Sequence, residues 1–531
     1  MKKSVIIICL AVSHLIAHGQ PVTRVNILPG EKWYGAAVNE GEKMPFSEGY
    51  FLNLNADTKG NQAAPLLLSS KGRYVWSDNP FSFAVTENEL VFSEFSDTVI
   101  VGSGGTDLEG AYLKASKMFF PPTGLMPDVL LFEKPQYNTW IELIYNQNQD
   151  DILKYAHDII DNGFPPGVIM IDDNWAPAYG NFKFRKDRFP DAAAMVNELH
   201  SMGFKVMLWV CPFISPDSEV SRDLLKRKLV LMHNEGNSGM TWAEAKTPSI
   251  INWWNGYSMV MDFTNPDAVE WFTGQLNNMV TEYGLDGFKF DAGDPEYYPE
   301  NSVSYIKITP NEHTELWGLF GLDYPLNEYR AMWKRGNEPI VERLRDKFHT
   351  WSDLRKLVPH ITVASLLGYT FACPDMIGGG DYSSFISGAE LDQELIVRSA
   401  QCHALMPMMQ FSVAPWRVLD GEHLEAVKKA VETRQSFVPY IMRLASISAK
   451  TGEPIVRNME YEFPHQGFED CRDQFMLGDS ILVAPMLEGG NSREVIFPAG
   501  SWKDKNDRIN RGPVKKRFTV PLDELLWFKK N

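Results

Sequence analysis

The sequence is poor in cysteine and lacks the residue spacings that bind metals or organic cofactors. Only 5 of its 531 residues are cysteines, and neither a CxxC nor a CxH pair occurs among them. A zinc site is therefore not indicated. The chain also has no G-x-S-x-G elbow and no G-x-G-x-x-G after its first predicted barrel strand, which argues against an esterase and a dinucleotide-dependent enzyme. We expect no metal and no organic cofactor.

A surplus of basic residues and long apolar runs are absent as well. Lysine and arginine number 51 against 68 aspartates and glutamates, which gives a formal net charge of −17. Nucleic acids and anionic membranes are therefore unsuitable partners, because neutralising phosphate requires a basic surface. Beyond the N-terminal segment, no stretch reaches the roughly 18 uninterrupted apolar residues of a membrane span. We expect no membrane insertion, and a neutral ligand fits this composition.

The first 20 residues have the features of a secretory signal. Lys2 and Lys3 precede an apolar run, and Ala17-His18-Gly19 forms a small-x-small pattern like the one read by signal peptidase. A membrane anchor is the alternative, but the apolar run is too short to span a bilayer comfortably. We expect residues 1–19 to be a signal peptide and the protein to be exported, either periplasmic or extracellular.

Three kinds of patterning follow one another along the rest of the chain. Short alternating runs between turn residues predict an N-terminal β-sandwich over 20–130. Strands that alternate with amphipathic helices, beginning with WIELIY at 140–145, predict an α/β fold, a (β/α)8 TIM barrel over 131–436. A doubly wound sheet is the alternative. Short β patterns then return and predict a small C-terminal β-sandwich over 437–531.

Acidic residues end three of the predicted barrel strands. They are Asp172 and Asp173 after VIMI, Asp291 and Asp294 after GFKF, and Asp375 after FACP. Each alone is as readily explained as a helix cap or loop residue, but strand ends of a barrel meet in one pocket. Glycosidic cleavage needs such paired carboxylates, because one group protonates the leaving oxygen while the other meets an oxocarbenium-like centre.

Other side chains at or near strand ends are candidates for the same pocket. Trp175 and Trp209 could offer apolar faces to a sugar ring, although core packing is the commoner role of tryptophan. Cys211 and Cys373 could contact the ligand, with a buried structural thiol as the favoured alternative. Lys289, two residues before a strand-end aspartate, faces the same side. It could supply a positive field or form a salt bridge inside the barrel.

Several motifs in the same order resemble glycoside hydrolase family 31, from the start of the barrel to near residue 504. KFDAGD at 289–294 is similar to the family's nucleophile motif, and Asp346 lies five residues before Trp351, as the family's acid/base aspartate does. The resemblance implies Asp291 as nucleophile and Asp346 as acid/base of a retaining enzyme. Such an enzyme needs the two carboxyl groups roughly 5 to 6 Å apart, with the nucleophile ionised and the acid protonated.

The resemblance also implies residues that bind the sugar. Asp172 matches a strand-end aspartate that holds sugar hydroxyls, and Asp375 in PDMIGG matches a substrate-binding aspartate. Arg343 is the best match to the family's sugar-binding arginine, with Arg345 and Arg330 as rivals. Charged groups suit this task because they make strong hydrogen bonds to hydroxyls.

Departures from the family pattern bear on which sugar is accepted. Ser412 stands where the family's glucosidases place a histidine, and KFDAG and PDMIGG are similar to the branch with α-galactosidase activity. The expected substrate is therefore a small molecule or oligosaccharide with a terminal α-galactoside. An α-glucosidase, α-xylosidase or sulfoquinovosidase on the same scaffold is the alternative, and a non-catalytic carbohydrate-binding protein is another. The segment 294–340 is expected to form a long insertion over the site, with an ordinary surface loop as the alternative.

Overall fold

The computed structural model describes residues 22–386 and 390–531. The predicted signal peptide, residues 1–19, lies outside the described residues. Within these two ranges, no helix combines the length and the apolar character needed to cross a membrane. The chain forms two antiparallel sheets, then a barrel of parallel strands with surrounding helices, and finally a C-terminal sheet.

Two antiparallel sheets form the N-terminal part. The first has the order Thr23–Asn26, Glu89–Ser93, Ser82–Val85 and Phe51–Asn53; the second contains Trp33–Ala37, Gln62–Ser69, Arg73–Trp76 and Ile100–Ser103. A short barrel segment, Met332–Trp333, pairs with the second sheet and joins the two parts. A helix over Leu108–Phe119 follows the sheets. The sequence pattern predicts only strands over this region, although the buried residues of the helix recur at helical spacing.

Eight parallel strands form the central barrel. They are β1 (Gln136–Asn138), β2 (Val168–Ile171), β3 (Lys205–Val210), β4 (Gly287–Phe290), β5 (Leu326–Tyr329), β6 (Glu342–Arg343), β7 (Ala372–Cys373) and β8 (Gln410–Phe411). Strands β1 to β7 pair in chain order, β8 pairs with β1, and a parallel bridge between Met376 and Gln410 closes the ring. The predicted TIM barrel is confirmed. Strand β2 is buried on both faces, as its continuous apolar sequence requires.

Helices surround the barrel. The longer ones are Gln149–Asp161, Ala192–Ser201, Glu219–Arg227, Pro266–Tyr283, Pro310–Gly318, Leu357–Leu366, Gln393–Ala404 and Gly421–Thr451; single turns are Leu130–Glu133, Trp140–Leu143, Trp351–Leu354, Ser383–Ile386 and Pro415–Val418. The helix Pro266–Tyr283 shows why such boundaries are readable. Asn265 caps its first turn, proline occupies the first position, and Gly284 ends it with φ 77°.

One predicted strand is wrong. The apolar stretch 140–145 contains the helical turn Trp140–Leu143, and β1 precedes it. The backbone N–H of Trp140 bonds to the side chain of Asn138, which turns the chain out of the strand at that point. Strand β1 shows no alternation of buried and exposed residues from which it could be predicted, because all three of its residues are buried.

The C-terminal part is a six-stranded antiparallel sheet. Its order is Val456–Arg457, Phe475–Leu477, Ile481–Val483, Trp527–Lys530, Ser492–Lys503 and Ile509–Thr519. Large side chains such as Phe497, Trp502 and Phe528 form a core of their own on this sheet. The helix Gly421–Thr451 runs through the predicted boundary between 436 and 437, and it packs against the barrel helix Gln393–Ala404.

Candidate active site

The carboxyl ends of the barrel strands deliver polar side chains to one cavity of about 450 Å³. Asp172 and Asp173 follow β2, Trp209 lies near the end of β3, Asp291 follows β4, and Arg343 ends β6. All five side chains line the cavity. They converge because parallel barrel strands end at the same face.

The cavity wall is charged but balanced. It contains six aspartates, six lysines or arginines and six aromatic side chains. Equal numbers of both signs suit a neutral polar ligand, because each hydroxyl can donate to a carboxylate or accept from a cation. Aromatic rings add apolar faces to the same wall. A sugar combines these two requirements, since it carries hydroxyls around a ring with apolar faces.

Asp291 is held by donors on several sides. Trp209 Nε1 donates to its Oδ2 at 2.9 Å, and Arg330 Nε donates to its Oδ1 at 2.9 Å. The backbone N–H of Ala292 also donates to Oδ1 at 2.9 Å. Burial would raise the pKa of this carboxyl, but the charges of Arg330 and Lys289 outweigh burial and hold the pKa well below its usual range. Asp291 is therefore ionised at neutral and mildly acidic pH.

The backbone conformation after Asp291 explains why the KFDAGD motif has two small residues there. Ala292 has φ 55° and Gly293 has φ 77°, so the backbone turns through the left-handed region directly after the carboxylate. A Cβ on Gly293 would lie 2.4 Å from Trp317 Cδ1. A larger residue at 293 would therefore collide with a buried indole and displace the turn that aims Asp291.

Asp346 lies on the wall of the same cavity, and its side chain is 37% exposed. It accepts a hydrogen bond from Arg343 Nη1, which also donates to Asp375 Oδ1 at 3.1 Å. Desolvation raises the pKa of Asp346, but the charges of Arg343 and Lys289 lower it by a larger amount. The resulting pKa lies below its usual value. Asp346 is therefore ionised at neutral pH.

Lys289 and Asp172 form a buried ion pair in this cavity. Their charged atoms are 2.6 Å apart, and their side chains are only 5% and 4% exposed. Both interpretations of Lys289 fit the geometry, because the lysine is paired inside the barrel while its charge still lowers the pKa of Asp291. Both residues line the cavity.

Asp375 does not reach the cavity wall. It lies behind Arg343 and accepts backbone N–H bonds from Lys347 at 2.7 Å and Gly380 at 3.2 Å. Burial, followed by the charge of Asp346, raises the pKa of Asp375 to about 7. The structure therefore places Asp375 where it orients Arg343, not where it would contact a sugar.

Three further sequence candidates also lie away from the main cavity. Trp175 and Cys211 line a neighbouring cavity of about 190 Å³, and Trp175 Nε1 donates to the carbonyl of Trp209 at 2.8 Å. Cys373 is fully buried in β7. These three residues therefore pack around the site and do not line its main cavity. Trp209 does line that cavity and donates a hydrogen bond to Asp291.

Two contacts in the site are not predicted by the sequence. Arg330, considered only as a rival sugar-binding arginine, bridges Asp291 and Asp294. Asp173 accepts from Tyr179 Oη at 3.0 Å and from Asn255 Nδ2 at 2.6 Å, and burial raises its pKa to about 7. The sequence marks both residues only weakly. Arg330 follows the run LNEY, and Asp173 is the second acid of IDD.

Segment 294–340 is not simply an insertion over the site. It contains the helix Pro310–Gly318, barrel strand β5 and the segment Met332–Trp333 that pairs with the N-terminal sheet.

Ser412 is fully buried, and its hydroxyl accepts a hydrogen bond from the backbone N–H of Ile141 at 2.8 Å. The position where glucosidases of the resembled family place a histidine therefore adds no side chain to the cavity wall.

Comparison with known proteins identifies the family. The model of the glycosyl hydrolases family 31 TIM-barrel domain matches residues 132–343 and 344–444, and that of the glycosyl hydrolase family 31 C-terminal domain matches 452–531. The chain belongs to glycoside hydrolase family 31. Myogenesis-regulating glycosidase of Mus musculus is 34% identical over 82% of this chain and 61% of its own length.

More distant similarities agree with the family and the fold. Alpha-glucosidase 2 of Bacillus thermoamyloliquefaciens is 25% identical over 67% of this chain and 47% of its own length. The chain thus spans about half to three fifths of the length of these curated relatives. A solved structure of a family 31 dextranase from Flavobacterium johnsoniae, complexed with glucose, superposes with a TM-score of 0.85 at 20% identity, over 97% of this chain and 67% of that chain.

Proposed function

We propose that the protein is a retaining, exo-acting α-glycosidase that removes a terminal α-linked sugar by double displacement. The observation that carries this proposal is the placement of Asp291 and Asp346 on the wall of one sugar-sized cavity, with Asp291 kept ionised by the charges of Arg330 and Lys289. Lys289 and Asp172 line the same cavity and are only 5% and 4% exposed, so this part of the cavity is enclosed, which favours attack at a chain end.

In the first step, Asp291 attacks the anomeric carbon while the bond to the leaving oxygen breaks and Asp346 donates a proton to that oxygen. In the second step, Asp346 removes a proton from water, whose oxygen displaces Asp291 from the anomeric carbon. Two inversions retain the configuration. Asp172, Asp173 and Arg343 line the cavity beside these groups and would bond the sugar hydroxyls.

The proposed sugar is α-galactose. The forms KFDAGD and PDMIGG support this choice because they resemble the galactosidase branch of the family. Ser412 supports it as well, because this buried hydroxyl leaves the cavity without the imidazole used by the glucosidases. The relative named alpha-glucosidase 2 keeps α-glucose as the second candidate.

A panel of p-nitrophenyl α-glycosides tests the proposal. We expect the galactoside to be hydrolysed with the highest kcat/KM and NMR to show the α-anomer as the first product. Asp291→Asn should abolish turnover while sugar binding remains. Cleavage of the glucoside, xyloside or sulfoquinovoside but not the galactoside would end the sugar assignment. Sugar binding without turnover that depends on Asp291 would point to a binding protein.

A further inference from the structure

Glu328 of β5 is a buried acid inside the barrel that takes no part in the double displacement. Its side chain is 1% exposed and does not line the catalytic cavity. A buried carboxylate costs free energy unless a cation and hydrogen bonds compensate it, and the interior of a barrel is normally filled by branched apolar residues. An acid at this position therefore indicates a specific role.

The carboxylate of Glu328 is held from two sides. Its Oε1 lies 3.2 Å from Nε of Arg343 on β6, the strand that pairs with β5. Its Oε2 accepts a hydrogen bond at 2.7 Å from Nε2 of Gln410 on β8, and the same amide donates to Oε1 of Gln136 on β1 at 2.9 Å. Side chains from three other strands therefore fix the acid in one place.

Arg343 is held at two of its nitrogens by three carboxylates. Nε lies against Glu328, whereas Nη1 donates to Asp346 and, at 3.1 Å, to Asp375. Because the guanidinium group is planar, contacts at both Nε and Nη1 fix the orientation of the whole plane. Asp346 and Asp375 bind one nitrogen only, so without Glu328 the plane can turn about that nitrogen.

The orientation of Arg343 determines the position of Asp346. Asp375 is held independently of the arginine, because the backbone N–H groups of Lys347 and Gly380 donate to it. The side chain of Asp346 is 37% exposed. Within residues 22–386 and 390–531, its carboxylate accepts a hydrogen bond from Arg343 alone. Asp346 is therefore the carboxylate that moves when the arginine turns.

We infer that Glu328 is a positioning residue for the acid/base step. By holding Nε of Arg343, it keeps Asp346 where that carboxyl can protonate the leaving oxygen. Glu328 itself does not touch the sugar. The inference rests on the proposed function and deepens it, since it requires Asp346 to be the proton donor.

The test compares two substrates that depend on the proton donor to different extents. The leaving oxygen of a methyl α-glycoside must be protonated as its bond breaks, whereas fluoride leaves a glycosyl fluoride as a weakly basic anion without a proton. With the preferred sugar in both substrates, the ratio of their kcat/KM values reports the action of Asp346 in the first step. A general loss of folded protein or of sugar binding lowers both values and leaves the ratio unchanged.

Glu328→Gln keeps the size of the side chain but places an amide nitrogen where Gln410 or Arg343 donates, so one of the two contacts is lost. We expect kcat/KM to fall about 10- to 100-fold for the methyl glycoside and less than about threefold for the fluoride. Gln410→Met removes the donor to Oε2 and should change the ratio in the same direction by a smaller factor. Combining Glu328→Gln with Gln410→Glu exchanges acid and amide across their hydrogen bond and should recover part of the wild-type ratio.

Glu342→Gln is the matched control. Glu342 is also a buried acid, and it directly precedes Arg343 on β6. Successive side chains of a strand point to opposite sides, and Glu342 does not line the cavity. This variant should keep the wild-type ratio, and thermal unfolding shows whether each variant is folded.

A folded Glu328→Gln variant with the wild-type ratio would overturn the inference, as would an equal change of ratio in Glu342→Gln. If Glu328→Gln does not fold, Gln410→Met decides the question, because an unchanged ratio in that variant also overturns the inference. A wild type that hydrolyses neither substrate with any sugar would refute the proposed function instead. That result is distinguishable because it appears before any substitution is made.

Discussion

Gly380 is the position at which the smallest substitution should disturb the candidate site most. It carries no catalytic group, but its Cα faces both Asp375 and Asp346. A Cβ at this position would lie 2.6 Å from Asp375 Oδ1 and 2.9 Å from Asp346 Oδ1. The φ of Gly380 is not in the left-handed region, so Gly380→Ala acts through contact with these carboxylates and not through backbone strain.

The size of the expected effect follows from these distances. Ordinary contact with a Cβ begins at 3.4 Å, so Gly380→Ala pushes the two carboxylates by about half an ångström or more. Misplacement of a reacting group by about 1 Å can cost about 100-fold in rate. We expect kcat/KM to fall about 30- to 100-fold, which corresponds to about 2 to 3 kcal/mol of transition-state stabilisation.

The assay is kcat/KM on the best p-nitrophenyl α-glycoside, measured together with thermal unfolding. Gly274→Ala is the matched control, because nothing lies within 4 Å of a Cβ at that helical position. It should keep full activity and gain about 1 kcal/mol of stability. A folded Gly380→Ala variant with activity within about twofold of wild type would refute the assigned placement of Asp346.

Other predictions follow from the charges. Replacing Arg330 by glutamine should raise the pKa of Asp291 and move the acidic limb of the kcat/KM profile to higher pH; an unmoved limb would contradict this. Lys289→Met leaves a buried carboxylate unpaired and should cost about 3 to 5 kcal/mol in urea unfolding, whereas Lys154→Met in an exposed pair should cost less than about 0.5. Because the pKa of Asp346 is lowered, kcat/KM should fall as pH rises, with an optimum below neutral. A profile flat to pH 7 would oppose that assignment.

The parts of the fold that sequence predicts are those with enough residues to show a pattern. Strands β2 and β4 contain four residues each, and each ends directly before the acid at which the sequence predicts its end. Strands β6, β7 and β8 contain two residues each, too few for any periodicity to emerge. Strand β5 lies in a segment rich in turn residues, which concealed it.

The residues of the candidate site also fall into those that a local sequence pattern predicts and those that it does not. Acids directly after apolar strands are recognisable because their position follows from the strand itself. The bond between Arg330 and Asp291 joins residues 39 positions apart, and no local pattern reports it. Asp375 and Cys373 illustrate the opposite error. They lie close in sequence to groups of the site, but β7 places them behind Arg343 and in the core.

The two carboxylates of the site are coupled, and this coupling matches the order of proton transfers in the proposed mechanism. Desolvation and the negative charge of Asp291 raise the pKa of Asp346, whereas Arg343 and Lys289 lower it. When Asp291 becomes an ester, its charge disappears and the pKa of Asp346 falls. Asp346 thus holds a proton more readily before the first step and releases it more readily for the second. Arg330 bonds Asp291 and Arg343 bonds Asp346, whereas the charge of Lys289 lowers the pKa of both carboxyls.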